Sequence, residues 1–394
     1  MLGAELNQKE PKIDWLLLAA IAGLMLMGTA FIFSASTASD SSSSFWVKQL
    51  IAYGLGLVLA GAVCCVRYET ISRFATVGYW LAIILLLAVI PFGTATLGAK
   101  RWLSFGSFKF QPSEFAKLAF IFMMASFLSR PKEELRSPGL FVKALLMTAL
   151  PFIIILKEPD LGSALVLFPI GLAMMFVAGV PTKFILRFGA GIGILVVLLL
   201  VDILFAPPNW QIKLEEYQRQ RLLVYFGRDF APRNATEAER QQARRMQRAK
   251  SYNVEQALIS VGSGGLTGKG WRQGTQNALG YLPRAVAHND FIFSVVAEEK
   301  GFLGSVMVIG LYSALIFCGI KIAYQARDRL GKLLAVGVVT MLFSHVFINI
   351  GMNIRLMPVT GIPLPLLSYG GTSVLCSLIA IGVLQNVYIY RRSH

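Results

Sequence analysis

The residue of this chain best placed to do chemistry is a single carboxylate, Asp290, flanked by His288 and Asn289. It stands where a glycine-rich, basic stretch beginning at Val261 gives way to an apolar run beginning at Phe291. Two readings fit. Asn and Asp cap helices by accepting from the first orphan N–H groups, and FIFSVVAEE reads as a helix start. Alternatively, Asp290 is a general base at a membrane surface. A helix start lowers a carboxylate's pKa and an apolar surround raises it. A base acting on a weakly acidic hydroxyl gains from the second effect.

Other side chains could serve such a base. Glu114 and Lys117, three apart in KFQPSEFAKLAF, share a face of a helix that Pro112 suits at its first turn. They read either as an interfacial ion pair with a snorkelling lysine or as a polar pair facing an internal cavity. Just upstream, Arg101 could hold a phosphate, and Trp102 reads as an interface anchor. Lys157, Glu158 and Asp160 form a turn stiffened by Pro159, and Asp160 opens a helix at membrane depth, where it could meet a cation or substrate. The segment GSGGLTGKG (262–270) matches neither the P-loop nor a dinucleotide fingerprint, so a flexible outer loop is the better reading than a phosphate cradle. His345, on an apolar helix, reads as a packing histidine. With His288 and His394 as the other two histidines and no Cys/His cluster, the pattern argues against zinc. PLPLLSYGG (363–371) reads as a re-entrant or interfacial turn, backbone that is tolerated only under protein or water.

These residues are set in a greasy chain. Of 394 residues, 55% are apolar and 15% charged; mean hydropathy is +0.62. Soluble domains carry roughly 25% charged residues, so the composition is that of a polytopic membrane protein. The net charge of +16 could suggest nucleic acid, but a mostly intramembrane chain makes anionic lipid or a phosphate-bearing substrate the better partner. Cys64, Cys65, Cys318 and Cys376 sit in apolar runs and read as buried free thiols.

A span needs about 20 apolar residues. Ten stretches qualify: 14–36, 46–66, 73–93, 112–129, 139–156, 161–180, 184–205, 291–323, 331–352 and 372–390. The first is too long for a signal-peptide core and lacks a convincing cleavage site, so it reads as retained. The expected fold is therefore an all-α polytopic membrane protein, one domain over 1–394, with a large extracytoplasmic loop at 206–289 between helices 7 and 8. Arg67, Arg73, Arg130, Lys132, Arg136, Lys183, Lys321, Arg327, Arg329, Lys332, Arg391 and Arg392 all fall on the side of the termini, which makes that side cytoplasmic. Within the outer loop, 234–250 reads as a short polar helix, most simply a solvated insertion.

Several stretches, taken together, resemble the SEDS family (shape, elongation, division and sporulation). They are RWLSFGSFKFQPSEFAKLA (101–119), KEPDLGSAL (157–165), YQRQR (217–221), EQALISVGSGGLTGKGWRQGTQ (255–276), HNDFIFSVVAEEKGFLG (288–304) and NIGMNIRLMPVTGIPLPLLSYGGTS (349–373). They stand in family order along nearly the whole chain. The GTQ at 274–276 resembles the elongation branch, RodA, more than the division branch, FtsW. Asn289, where the family usually has threonine, Arg284 in place of a usual glutamate, and a long insertion around 229–250 are departures.

The resemblance implies a glycosyltransferase that polymerises lipid II on the outer face of the bacterial cytoplasmic (inner) membrane, with both termini inside. The family's catalytic acid falls on Asp290, and its turn acid falls on Asp160. Substrate contacts would come from Arg101, Trp102, Glu114, Lys117, Asp160, Arg219, Arg221, Gln256, Lys269, His288 and Ser368. No organic cofactor is implied; a divalent cation such as Mg would sit at Glu114 and Asp160. The implied partners are a class B penicillin-binding protein (a transpeptidase), lipid II and other membrane proteins of the elongation complex, with no nucleic acid. Two rivals use the same residues differently. A lipid II transporter needs the buried charges but no base at Asp290, and a scaffold for the transpeptidase needs only surface on the last spans.

Overall fold

In a computed structural model, the described residues are 13–37, 45–96, 99–105, 108–205, 216–227, 236–282 and 286–392. In lipid every backbone polar group must be satisfied within its own segment, and the apolar runs accordingly form helices. In chain order these are α1 (Trp15–Thr37), α2 (Phe45–Cys65), α3 (Tyr68–Arg73) and α4 (Ala75–Phe92). Three strands follow, β1 (Thr94–Thr96), β2 (Ala99–Phe105) and β3 (Phe108–Phe110). Then come α5 (Pro112–Leu128), α6 (Lys132–Leu135), α7 (Pro138–Lys157), α8 (Leu161–Ala178) and α9 (Thr182–Phe205). The chain ends with α10 (Glu216–Phe226), α11 (Glu237–Ser263), α12 (Thr275–Ala278), α13 (Ile292–Gln325), α14 (Arg329–Asn353) and α15 (Gly371–Ile389).

Nine of the described helices have the length and hydropathy to cross a membrane. The tenth expected span is α5, 17 residues long, at the short end of what crosses a bilayer. The eighth is different from its expectation. A straight helix of 34 residues would run about 51 Å, far beyond a hydrocarbon core of about 30 Å. α13 is in fact two helices meeting at Gly301, whose φ of +63° and ψ of −156° break the ladder. Residues 292–300 form a half-helix, buried except at Lys300, and the span proper follows it.

The glycine segment explains how such a break is tolerated. Lys269 and Gly270 donate their N–H groups to the carbonyls of Glu298 and Glu299, at 3.0 Å each. Beyond the break, Phe302 and Leu303 donate to the carbonyls of Gly265 and Leu266, at 2.8 and 3.1 Å. The loop thus splints the two halves of α13 through backbone bonds. A methyl group at Gly264 or Gly268 would collide with the carbonyl oxygens of Ala297 and Glu299. This segment is neither a loose outer loop nor a phosphate cradle.

Three further readings are corrected. The link between α4 and α5 is a three-stranded antiparallel sheet in the order β1-β2-β3, with Thr94 opposite Trp102 and Leu103 opposite Phe110. The polar helix expected over 234–250 extends, as α11, to Ser263. Among the thiols, all free, only Cys318 and Cys376 are buried; Cys65 is exposed on the bundle surface.

α15 is the centre of the bundle, with 89% of its span window buried, whereas α9 at the periphery has none. The basic turns gather at one end. Asp328 caps α14 at Gly331 N (2.8 Å) and accepts from Tyr68 Oη (2.9 Å), while Arg329 donates to the carbonyls of Arg130 and Ala178. The opposite end carries the sheet, the turn at 158–160, the glycine segment and the 354–370 connection.

Candidate active site

Asp290 lies in a tight turn, with Asn289, Asp290 and Phe291 all donating to the carbonyl of Val286. It does not cap α13; the cap position is Phe291, which makes no side-chain capping bond. Its backbone is clamped from α14. Asn349 Nδ2 and Asn353 Nδ2 both donate to the Asp290 carbonyl, at 3.1 and 3.0 Å. Asn349 also donates to the carbonyl of Ile362 (2.7 Å), and Asn353 Oδ1 accepts from Ser294 (2.6 Å). These two asparagines sit four apart, so one face of α14 does all of this. Sequence reasoning missed them as site residues, although their NIGMN motif was in view.

The carboxylate of Asp290 and the guanidinium of Arg101 come together beside Gly361. A Cβ on Gly361 would stand 3.6 Å from Asp290 Oδ2 and 4.0 Å from Arg101 Nη1. Gly361 has φ +76°, and its lack of a side chain leaves open the space that both groups border. Arg101 reaches there from β2, where successive residues point to opposite faces, so Trp102 faces away from it. Arg101 Nη1 is 3.6 Å from Asp160 Oδ1. Asp160 is itself the N-cap of α8 through Ser163 N (3.2 Å), and its Oδ2 accepts from Gln111 (2.9 Å) and Ser113 (3.2 Å). Arg101 Nε is buried without a hydrogen-bond partner. The guanidinium therefore has donors to spare.

Glu158, two residues from Asp160, is 2% exposed and neither carboxyl oxygen has a hydrogen-bond partner. Burial, and then the Asp160 carboxylate, push its pKa up to about 9 against the opposite pull of Arg101. At neutral pH it is a neutral acid.

A second polar cluster lies deeper. Lys117 Nζ is 2.7 Å from Glu114 Oε1 and 2.8 Å from His345 Nε2, and all three side chains are buried. His345 is thus neither a bare packing residue nor a metal ligand. Because an ammonium only donates, Nε2 accepts and the ring proton is on Nδ1.

The other expected site residues divide. Lys269 is bound by Glu298 Oε1 at 2.6 Å, which also accepts from Gln276 N (2.9 Å), so the lysine closes the splint. Ser368 accepts from Leu364 N (2.8 Å) and donates to the Asn289 carbonyl (2.6 Å), fastening the 363–371 turn to the Asp290 turn. His288 stacks on Phe45 at 4.3 Å between ring centres, and its carbonyl accepts from Tyr369 N (2.9 Å). Arg219 lies on α10 with Nε buried and unpartnered. Gln256 lies on α11, its carbonyl accepting from Ser260 (2.9 Å). The side chain of Arg221 lies outside the described residues, as does Arg284. No three or more His, Cys, Asp or Glu side chains among the described residues converge as a metal ion requires. Glu114 is neutralised by Lys117, and Asp160 is ringed by donors. The two do not fit a shared divalent ion.

The FtsW/RodA/SpoVE cell cycle protein profile matches residues 12–393. The peptidoglycan glycosyltransferase MrdB of Escherichia coli is 34% identical over 382 residues, covering 96% of this chain and 94% of that one. The peptidoglycan glycosyltransferase RodA of Treponema pallidum is 32% identical, covering 95% and 97%. Stage V sporulation protein E of Bacillus subtilis is 34% identical, covering 98% and 100%. Two solved structures share the fold over 97% of this chain. One is a chain of a peptidoglycan synthase complex that coordinates polymerization and crosslinking (TM-score 0.76, 27% identity, 99% of that chain). The other is the rod shape determining protein RodA of Thermus thermophilus (TM-score 0.67, 26% identity, 98% of that chain).

Proposed function

The chain belongs to the FtsW/RodA/SpoVE family and is a multi-pass membrane peptidoglycan glycosyltransferase of the RodA type, and we propose that Asp290 is its general base. Asp290 takes the proton from the 4-hydroxyl of the acceptor lipid II sugar. That oxygen attacks the anomeric carbon at the reducing end of the lipid-linked strand. The new glycosidic C–O bond forms with inversion as the C–O bond to undecaprenyl pyrophosphate breaks, and Asp290 later gives its proton to water. Arg101 meets the negative charge that grows on the departing pyrophosphate, as electrostatic stabilisation of a leaving group requires. The observation that carries this reading is the approach of carboxylate and guanidinium to the same space beside Gly361. Asp160 holds Arg101 in place. Lys117, wholly buried and engaged by Glu114 and His345, does not reach a pyrophosphate and serves the framework instead.

The basic turns at the opposite end of the bundle support an outward-facing Asp290 end under the positive-inside rule. A site there, at the edge of the lipid, lets the polyprenyl tail stay in the membrane while the sugars meet water. The partner is a class B transpeptidase, a reading supported by the synthase complex that shares this fold. The GTQ sequence at 274–276 and the MrdB and RodA relatives favour cell elongation.

The test is polymerisation of labelled lipid II by the purified protein, alone and with its transpeptidase. Wild type should give a ladder of glycan, and Asp290→Asn should lose at least a thousandfold in rate, in the range for removing an essential base. A ladder of similar strength from Asp290→Asn would move the base elsewhere. Movement of labelled lipid II across vesicles with no polymer from wild type would favour transport.

A further inference from the structure

Base and cation are held at the candidate site by different helices. Asp290 hangs from α14 through Asn349 and Asn353. Arg101 is held by Asp160, which is bonded to Ser113 in the first turn of α5 and to Gln111 just before it. The distance between Asp290 and Arg101 therefore depends on how α14 lies against α5.

Two features set that register. At Gly337, α14 comes so near α5 that a Cβ would stand 2.7 Å from Ile121 Cγ2. Closer to the site, Lys117 Nζ meets His345 Nε2 at 2.8 Å. Among the described residues this is the only side-chain hydrogen bond joining α5 to α14. His345, Asn349 and Asn353 recur every fourth residue and so lie along one face of α14. One end of that face grips α5, and the other grips Asp290.

We propose that His345 is a positioning residue for the polymerisation reaction. Through Lys117 it locks α14 to α5, and it thereby keeps Asp290 opposite Arg101. Glu114 closes on Lys117 from within α5, and the imidazole nitrogen supplies the acceptor that directs the ammonium across the helix interface. Packing at Gly337 fixes how near the helices lie, and the hydrogen bond adds a directional tie nearer the site. The inference rests on the assignment of Asp290 and Arg101 given above.

The test uses the full protein with its transpeptidase, measuring kcat and KM for labelled lipid II. His345→Leu should lower kcat about tenfold to a hundredfold, the range for losing a buried bond to a charged group, and leave KM within about threefold. His345→Gln, whose amide oxygen can accept from Lys117, should recover most of that rate. Lys117→Met combined with His345→Leu should lose no more than the worse single variant, because both remove the same bond. Wild-type kcat in His345→Leu, or fully additive losses in the double variant, would overturn the proposal. If His345→Leu does not fold, His345→Gln against His345→Asn decides: the shorter amide falls short of Lys117, and equal rates for the two would also overturn it. Asp290→Asn run alongside separates two failures. An inactive Asp290→Asn with an unaffected His345→Leu sinks the positioning role alone, and an active Asp290→Asn sinks the base and, with it, what His345 is said to position.

Discussion

The two polar clusters that α14 joins both set acids against cations and are finished in opposite ways. In the deep cluster Glu114, Lys117 and His345 are 3%, 0% and 1% exposed, and the charged groups close on one another. At the outer site Arg101 keeps 18% of its side chain exposed, makes one contact of 3.6 Å to Asp160 and leaves Nε unused. Buried charge that is paired in this way holds helices together and has little left to offer a ligand; of these three side chains only His345 keeps a buried polar atom, Nδ1, without a partner. A guanidinium with spare donors beside an accessible carboxylate is equipped for an anionic substrate. Ionisable residues inside a membrane protein thus divide by whether their hydrogen-bonding capacity is already spent.

The outer site also depends on the splint at Gly301, and the deep cluster does not. The most damaging way to probe that difference is Gly268→Ala. This residue has φ +82°, and a methyl group would meet the Glu299 carbonyl. Displacing the half-helix that follows Asp290 should abolish polymerisation and cut the yield of folded protein, since such a clash adds to a backbone strain of about 1–3 kcal/mol. Gly54→Ala, where a methyl group meets nothing within 4 Å, should leave activity and thermal midpoint unchanged. Equal outcomes for the two glycines would show that the splint is not what holds the site.

A milder probe is aimed at the guanidinium itself. Arg101→Gln should lower kcat/KM roughly a hundredfold, comparable to removing one donor from a preorganised charge-stabilising site. Arg101→Lys should fall between Gln and wild type, because it keeps the charge and loses the planar fork. If Arg101→Gln were harmless while Lys117→Met abolished rate and substrate binding alike, the assignment of the two clusters would be reversed.

How much of this was visible in the sequence follows from the range of each interaction. The spans were legible because about 20 apolar residues in a row have one solution in lipid. Asp290 was legible as a lone acid at a polar–apolar boundary, and Glu114 with Lys117 by helical spacing. The break at Gly301 had a signal, the charged Glu298-Glu299-Lys300 directly before it, which the reading of 291–323 as one span overrode; the compensating bonds come from a loop more than 30 residues earlier in the chain and could not be read. The hairpin of β2 and β3 had a signal, alternating aromatic residues either side of Gly106-Ser107, which the all-helical expectation overrode. The roles of His345, Asn349 and Asn353 were not legible, because each depends on a partner more than 50 residues away, Lys117 in one case and Asp290 in the others.

The smallest effect is expected where two neighbouring acids differ most. Asp160 has four donors around its two oxygens, and Glu158 has none. Glu158 has a folded pKa of about 9 against an ordinary value of 4.5. Below the ordinary value it is protonated in both the folded and unfolded chain and contributes no pH dependence. Between the two values the unfolded chain has lost the proton that the folded chain still holds, so folding is progressively penalised as pH rises. Above the folded value both forms are ionised and the penalty stops growing. Glu158→Gln removes this proton linkage while keeping the size of the neutral acid. Its thermal midpoint should exceed that of wild type by a few degrees at about pH 8 and by much less at about pH 5. Its polymerisation rate near neutral pH should stay within about twofold, because the wild-type residue is already uncharged there. A midpoint gain of the same size at both pH values would mean that Glu158 is not titrating in this window. A large loss of rate at neutral pH would mean that its carboxyl group, like Asp160, is holding Arg101.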